Sequence, residues 1–280
     1  MVLIRNGLRP LGAIVRNREG EAADLRSDEE TMMNTNGHSP GSITVAVDHS
    51  QHAYDATEWA AELAKALKAP LHLIYVDSAN NPGAATRIPL DTWLGMLRVA
   101  AWRAGTYPEV MTTVAGPVES AMTEFAAGAR LLVLGVDLST HASETALVTA
   151  LARRATSPVA VLRGHAPGLG SPLCGPVVIA SGPAVPAFAA EVAAGLDAPV
   201  EPVEIGAADA QTSLSTLLER AHRARIVVLD PPDHLTAPGG WFDDASRLLV
   251  EQATCPVIVL GPVEHPAQVG EPAGLVAASH

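Results

Sequence analysis

Acids and histidines fall together at three places in this chain, and each is a place where chemistry could be done. Asp48, His49 and His52 make the first group, Asp137 and His141 the second, and Asp233-His234 with Asp243-Asp244 the third. Histidine and carboxylate are ordinary metal ligands and ordinary acid–base partners, so convergence of the first two groups could build a metal or proton-transfer site. The plainer reading of each group is a polar crevice rim that holds nothing. No G-x-x-x-x-G-K-[ST], H-E-x-x-H or G-x-S-x-G occurs. The spaced glycines of Gly164–Gly170 follow an apolar run, but no helical pattern succeeds them, which excludes a dinucleotide fingerprint. Cys174 and Cys255 are far apart with no C-x-x-C, which argues against a disulfide framework or a cysteine zinc site and for a reducing, cytoplasmic setting.

The elements that must position these residues alternate. Ile43–Val47 is a continuous apolar run ending at Asp48-His49-Ser50, as expected of a strand buried on both faces. Residues 53–68 repeat apolar positions at helical steps (Ala56, Trp59, Ala60, Leu63, Ala64, Leu67) and stop before Pro70. Strands are expected at 71–76, 110–114, 131–134 and 159–162, with Gly135 marking a turn after the fourth run. Helices are expected at 88–104, 118–127 and 144–155; Glu119 lies in the first turn of the second, where the helix dipole favours an anion. Trp59, Trp93 and Trp102 fall on or near apolar helix faces and are assigned to the core. Alternating strands and helices predict an α/β fold with a parallel, doubly wound sheet.

The pattern then restarts. Ala61–Pro70 matches Ala190–Pro199 at an offset of 129, Arg130–Leu134 matches Arg225–Leu229 at 95, and Ala155–Leu162 matches Ala253–Leu260. Three matches in one order make a tandem repeat. The second copy has 34 fewer residues between the first two matches, room for one strand and the helix before it. The expected organisation is a disordered arm at 1–41, a first domain at 42–164, a linker at 165–175, a second domain at 176–263 and a loose tail at 264–280. Met32 and Met33 offer alternative translation starts, which would make the arm an artefact.

Composition narrows the partners. Hydrophobic residues make up 48% and charged residues 17%, the balance of a core-forming chain. The net charge of -12 argues against nucleic acid and against an anionic membrane surface. No apolar run approaches a membrane span or a secretory signal, and an arginine- and alanine-rich text with lysine only at Lys65 and Lys68 points to a GC-rich bacterial genome.

These residues resemble the universal stress protein family. The carriers are Ile-Thr-Val-Ala-Val-Asp at 43–48, the helix with Ala60, Leu63 and Ala64, the Gly116-Pro117 turn, Leu-Leu-Val-Leu-Gly at 131–135 and Ser-Pro-Val-Ala-Val-Leu at 157–162. The resemblance covers about 42–163 and, more weakly, about 176–262. It implies two flavodoxin-like (Rossmann-like, HUP-type) domains, with strand order 3-2-1-4-5 in the first and the third strand missing from the second. It implies a nucleotide site at Asp48, Val76 and Gly135 of the first domain, Asp48 contacting the nucleoside. ATP-binding members carry Gly-x-x-Gly and then Gly-Ser or Gly-Thr after the fourth strand. Here Gly135 matches the first glycine, Leu138 stands at the second, and Thr145-Ala146 stand near the last pair. Those glycines matter because they let main-chain N–H groups approach phosphates. Asp137 and Glu144 add negative charge there, and a carboxylate about 4 Å from a phosphate repels it by roughly 1 kcal/mol even in high dielectric.

In the second copy Ser181 stands where Asp48 does, Asp230 replaces Gly135, and an acidic loop runs from Pro231 through Asp244. Trp241-Phe242 in that loop either plugs the empty crevice or faces a partner. Asp48 reads equally as a turn acid or helix N-cap, Gly135 as a tight turn, and Cys255, aligned with Ser157, as a small core residue.

The expected function is a non-enzymatic stress-response or regulatory scaffold with a decayed nucleotide site and no cofactor. The alternatives are a stress protein binding ATP through its first domain only, and, more remotely, an enzyme using the His/Asp crevice. The fifth strands, at 159–162 and 257–260, are expected to join the two domains as an intramolecular pseudo-dimer, two chains forming a homodimer around an unidentified protein partner.

Overall fold

The computed structural model describes residues 41–77, 88–136, 142–163, 175–181, 184–204, 210–230 and 241–260. The first half runs β1 (Ile43–Val47), α1 (Gln51–Leu67), β2 (Leu71–Asp77), α2 (Leu90–Ala104), β3 (Val110–Ala115), α3 (Val118–Ala126), β4 (Leu131–Val136), α4 (Ala142–Arg154) and β5 (Val159–Arg163). The second runs β6 (Val177–Ser181), α5 (Ala187–Gly195), β7 (Val200–Glu204), α6 (Ala210–Ala221), β8 (Ile226–Leu229), α7 (Trp241–Gln252) and β9 (Val257–Val259). The expected arm up to Pro40, the expected linker up to Cys174 and the expected tail lie outside the described residues.

The nine strands of the described residues form one sheet in the order β3-β2-β1-β4-β5-β9-β8-β6-β7. The first half therefore has order 3-2-1-4-5. The second has 2-1-4-5, because the 34-residue shortening removes the strand that would lie at the edge and leaves the centre intact. Pairing is parallel within each half and antiparallel only between β5 and β9. At that seam Ala160 faces Ile258, and these are equivalent residues of the repeat. A pseudo-twofold axis thus passes between them.

Strand residues alternate between two cores, as a period of two requires. Val45, Leu73, Val133, Ala160, Ile179 and Ile258 join α1, α2 and α5 on one face. Ile74, Leu132, Leu134, Val161, Val227 and Val259 join α3, α4, α6 and α7 on the other. Each core runs unbroken through both halves.

The repeat extends to helix ends. Arg130 Nη1 donates to the Leu67 carbonyl (3.1 Å), and Arg225 Nη1 donates to the Leu196 carbonyl (2.7 Å). Both pairs are equivalent by the repeat, and each arginine satisfies an end carbonyl that a helix leaves open. Lys68 and Asp197, again equivalent, both adopt left-handed backbone (φ 51° and 49°). At the seam the C-terminal ends of α1 and α5 meet, the hydrogen side of Gly195 facing Leu67, and Arg130 also pairs with Glu191 of the second half.

Three expectations are corrected. Trp102 is not a core residue: it is 67% exposed, because α2 turns Trp93, Leu97, Ala100 and Ala101 inward and leaves Trp102 on the opposite side. Gly135 does not follow the fourth strand but lies within it, paired with Leu162. Trp241–Asp244 belong to the first turn of α7 and not to a loop; their side chains lie outside the described residues.

Candidate functional site

The switch point of the first half lies where β1 and β4, adjacent in the sheet, send their connections to opposite faces, the usual place for a ligand in such a sheet. The sequence builds it from one turn. The Asp48 carboxylate accepts the Ser50 N–H (2.9 Å), and the Ser50 hydroxyl accepts the Ala53 N–H (3.1 Å) as the N-cap of α1. The carboxylate thus holds the chain as it leaves β1, and the serine satisfies a donor at the helix start. Asp48 is half-buried and keeps its second oxygen outside this bond.

Gly135 has a packing reason. A Cβ there would overlap the backbone carbonyl of His52, so the first turn of α1 lies directly on β4. The role read from sequence, a tight turn, gives way to a close approach between a helix and a strand.

Val76 is buried in β2 and its side chain joins the core beneath α3 and α4, together with Leu134 and Val136. Only its main chain is left for the crevice. The preceding residue, Tyr75, joins the other core and meets His49 edge-on, with ring centroids 5.6 Å apart. On its other side His49 stacks on Trp93 of α2 at 5.9 Å and an interplanar angle of 29°. The Trp93 indole N–H donates to the Asp48 main-chain carbonyl (2.5 Å). Both ring nitrogens of His49 are buried without a hydrogen-bond partner among the described residues. Along α1 from this turn, burial raises the carboxyl pKa of Glu58, with Asp55 adding to it, and raises that of Glu62, with Glu58 adding to it.

The structure therefore brings together Asp48, His49, Tyr75, Trp93 and the Gly135–His52 contact. His141, Asp137 and Leu138 lie outside the described residues, as do Asp233 and His234 and the side chains of Glu144 and Thr145. Among the described residues, no group of three or more His, Cys, Asp or Glu could hold a metal ion. The part of Trp93 was not legible in the sequence. It is 45 residues from Asp48, and its apolar helical position signals burial alone.

The second half has no matching acid. Ser181, at the position of Asp48, is buried and its hydroxyl donates to the Ala184 carbonyl (3.1 Å). At the position of Gly135, Asp230 extends the sheet by donating its N–H to Ala180. Cys255, two residues before β9, is partly buried against the core, and burial pushes its thiol up to about 12.

Residues 41–163 match the model of the universal stress protein family. Universal stress proteins from two strains of Mycobacterium tuberculosis are 31% identical over 156 residues, covering 52% of this chain and 56% of theirs. The chain thus spans little more than half the length of these curated relatives. In structure, a universal stress protein from Archaeoglobus fulgidus DSM 4304 aligns with 80% of this chain and 97% of its own at 10% identity, with a TM-score of 0.57. A universal stress protein crystallised with cAMP aligns with 45% of this chain and 98% of its own at 24% identity, with a TM-score of 0.38. With the strand order of the first half and this sequence match together, residues 41–163 belong to the universal stress protein family.

Proposed function

We propose that this chain is a non-enzymatic, universal-stress-type regulatory protein that works through protein contacts, its first-half crevice occupied by its own side chains. One observation carries the reading: Trp93 bonds to the Asp48 carbonyl and stacks on His49, so indole, imidazole and phenol rings crowd the ends of β1 and β2. The departures from the Gly-x-x-Gly pattern at Leu138 and Thr145-Ala146 support it, as do the Asp48 carboxylate's engagement with Ser50 and the packing reason for Gly135.

A second reading is favoured by a different observation. The two buried, unpartnered ring nitrogens of His49 would be satisfied by a polar ligand, and an adenine nucleotide held beside Asp48 would supply acceptors and donors there.

Calorimetry with ATP on the full chain separates the two. No heat at millimolar ATP is the expected result. Micromolar binding that disappears in Asp48→Ala would establish the nucleotide reading and end the first.

A further inference from the structure

The exposed apolar surface of this protein is gathered in one place. Of the seven large hydrophobic residues exposed among the described residues, five lie on α2 or in the turns at its two ends: Ile88, Met96, Val99, Trp102 and Tyr107. At 100° per residue, Trp102, Val99 and Met96 spread across the side of the helix opposite the buried Leu97 and Ala101. Arg98 donates to the Met111 sulfur, so one flank of this face lies along β3. Trp102, one turn beyond Arg98, and Tyr107 carry the surface to the start of that strand. β3 is an edge of the sheet and has no charged residue from Val110 to Ala115, whereas the opposite edge, β7, is guarded by Glu201, Pro202 and Glu204. A contiguous apolar stripe beside an unguarded edge marks a surface that something covers.

The occupant is argued from reach and chemistry. The described residues begin at Gly41, just before β1. Ile43 donates its N–H to the Pro70 carbonyl and Glu109 donates its own to Leu71, so the starts of β1, β2 and β3 lie in a row, at the end of the sheet where α2 finishes with Trp102. From β1 to β3 is two strand spacings, roughly 10 Å. A stretch as long as residues 16–40 reaches about 80–90 Å when fully extended and about 25–30 Å as a coil, so residues 2–15 stand before this face at an effective concentration on the order of a millimolar. The C-terminal segment, in contrast, leaves from β9, five strands away from β3. Residues 2–15 supply aliphatic groups at Val2–Ile4, Leu8, Leu11 and Ala13–Val15, and their only charges are Arg5 and Arg9. Residues 16–40 have no such run and carry six acids. The face has an exposed acid at each end, Asp91 in the first turn of α2 and Glu109 before β3. Its bases have other company: Arg98 meets Met111, and Arg103 faces Glu58 on the α1 side. An arginine also stacks readily on an exposed indole.

We infer that residues 2–15 of this chain lie over the outer face of α2 and the adjoining β3 edge, their aliphatic groups covering Val99, Trp102 and Tyr107 and their two arginines meeting Asp91 and Glu109. The chain thereby shields its own open edge. The inference is independent of whether the crevice binds a nucleotide.

Photocrosslinking on the full chain tests it. A benzophenone is attached through Val99→Cys in a Cys174→Ser background, where Cys255, its thiol pushed up to about 12, reacts slowly. The expected result is a crosslink within one chain, independent of protein concentration, that maps to residues 2–15 and not to 16–40, although 16–40 lie nearer along the chain. Trp102→Asp lowers its yield by roughly tenfold, as loss of a contact aromatic does, and so does the pair Leu3→Asp and Ile4→Asp. Because Trp102 is exposed, an unchanged circular dichroism spectrum separates this from misfolding. Crosslinks spread over residues 1–40 according to tether length overturn the inference. So do crosslinks between chains, which put a second copy on the face, a yield indifferent to these substitutions, and the absence of any crosslink to residues 2–15.

Discussion

Gly135 and His49 show how residue-level chemistry divides between support and recognition. Any side chain at Gly135 meets the His52 carbonyl, so Gly135→Ala should destabilise the ligand-free protein by about 1–3 kcal/mol, the range for overpacking a tight contact. Urea denaturation without nucleotide checks this; a purely phosphate-contacting glycine would leave that stability unchanged. His49→Phe keeps a flat ring between Tyr75 and Trp93 and removes two unpartnered nitrogens. It should raise stability by about 1 kcal/mol if the crevice is filled by side chains alone. Cys255 gives a test against pH. Its thiol is held up to about 12 in the fold but ionises near its ordinary value once unfolded. The unfolded state therefore loses its proton first, so this group's contribution is complete below about pH 8.5 and is lost as pH rises toward 12. In a Cys174→Ser background, alkylation at pH 8 should be far slower folded than unfolded.

At the scale of elements, the two halves solve the same problem with the same residues. Arg130 and Arg225 cap the ends of α1 and α5, and Lys68 and Asp197 turn the chain through left-handed backbone directly after. Side chains are disfavoured in that region and glycine is not. Lys68→Gly and Asp197→Gly should each stabilise by about 0.5–1 kcal/mol, read as shifts in denaturation midpoint at unchanged slope. Element types and order were legible in the first half because most of its strands are short, continuous apolar runs and its helices show a 3.6-residue stripe; β7, with Glu201, Pro202 and Glu204, has no such run. The ends were less legible. The strand expected at 131–134 continues to Val136, its end misplaced because a glycine inside a strand resembles a terminator, and α7 begins at Trp241 although a Pro- and Gly-rich run precedes it.

The described strands of both halves form one sheet with a pseudo-twofold through Ala160 and Ile258, and both cores cross that axis. The halves should therefore unfold together. Intrinsic fluorescence, dominated by Trp59, Trp93 and Trp102 of the first half, should change in the same transition as circular dichroism, which reports on both halves. Ile258→Asp buries a carboxylate on the axis and should cost several kcal/mol or separate the two transitions.

The sequence by itself determined the α/β class, the repeat, the strand dropped from the second copy and the position of Asp48 at a strand end. All of these are written as local period or as matched runs along the chain. Tertiary structure alone decided that Trp93 reaches Asp48, that Gly135 serves a helix backbone, that Val76 turns its side chain away from the crevice, and that Trp102 faces outward. Each depends on which residues far apart in the chain come within a few ångströms, and neither period nor composition carries that distance. Trp93 and Trp102 look alike on an apolar helix; the angle between them around α2, set against the sheet it packs on, sends one into the site and the other to the surface.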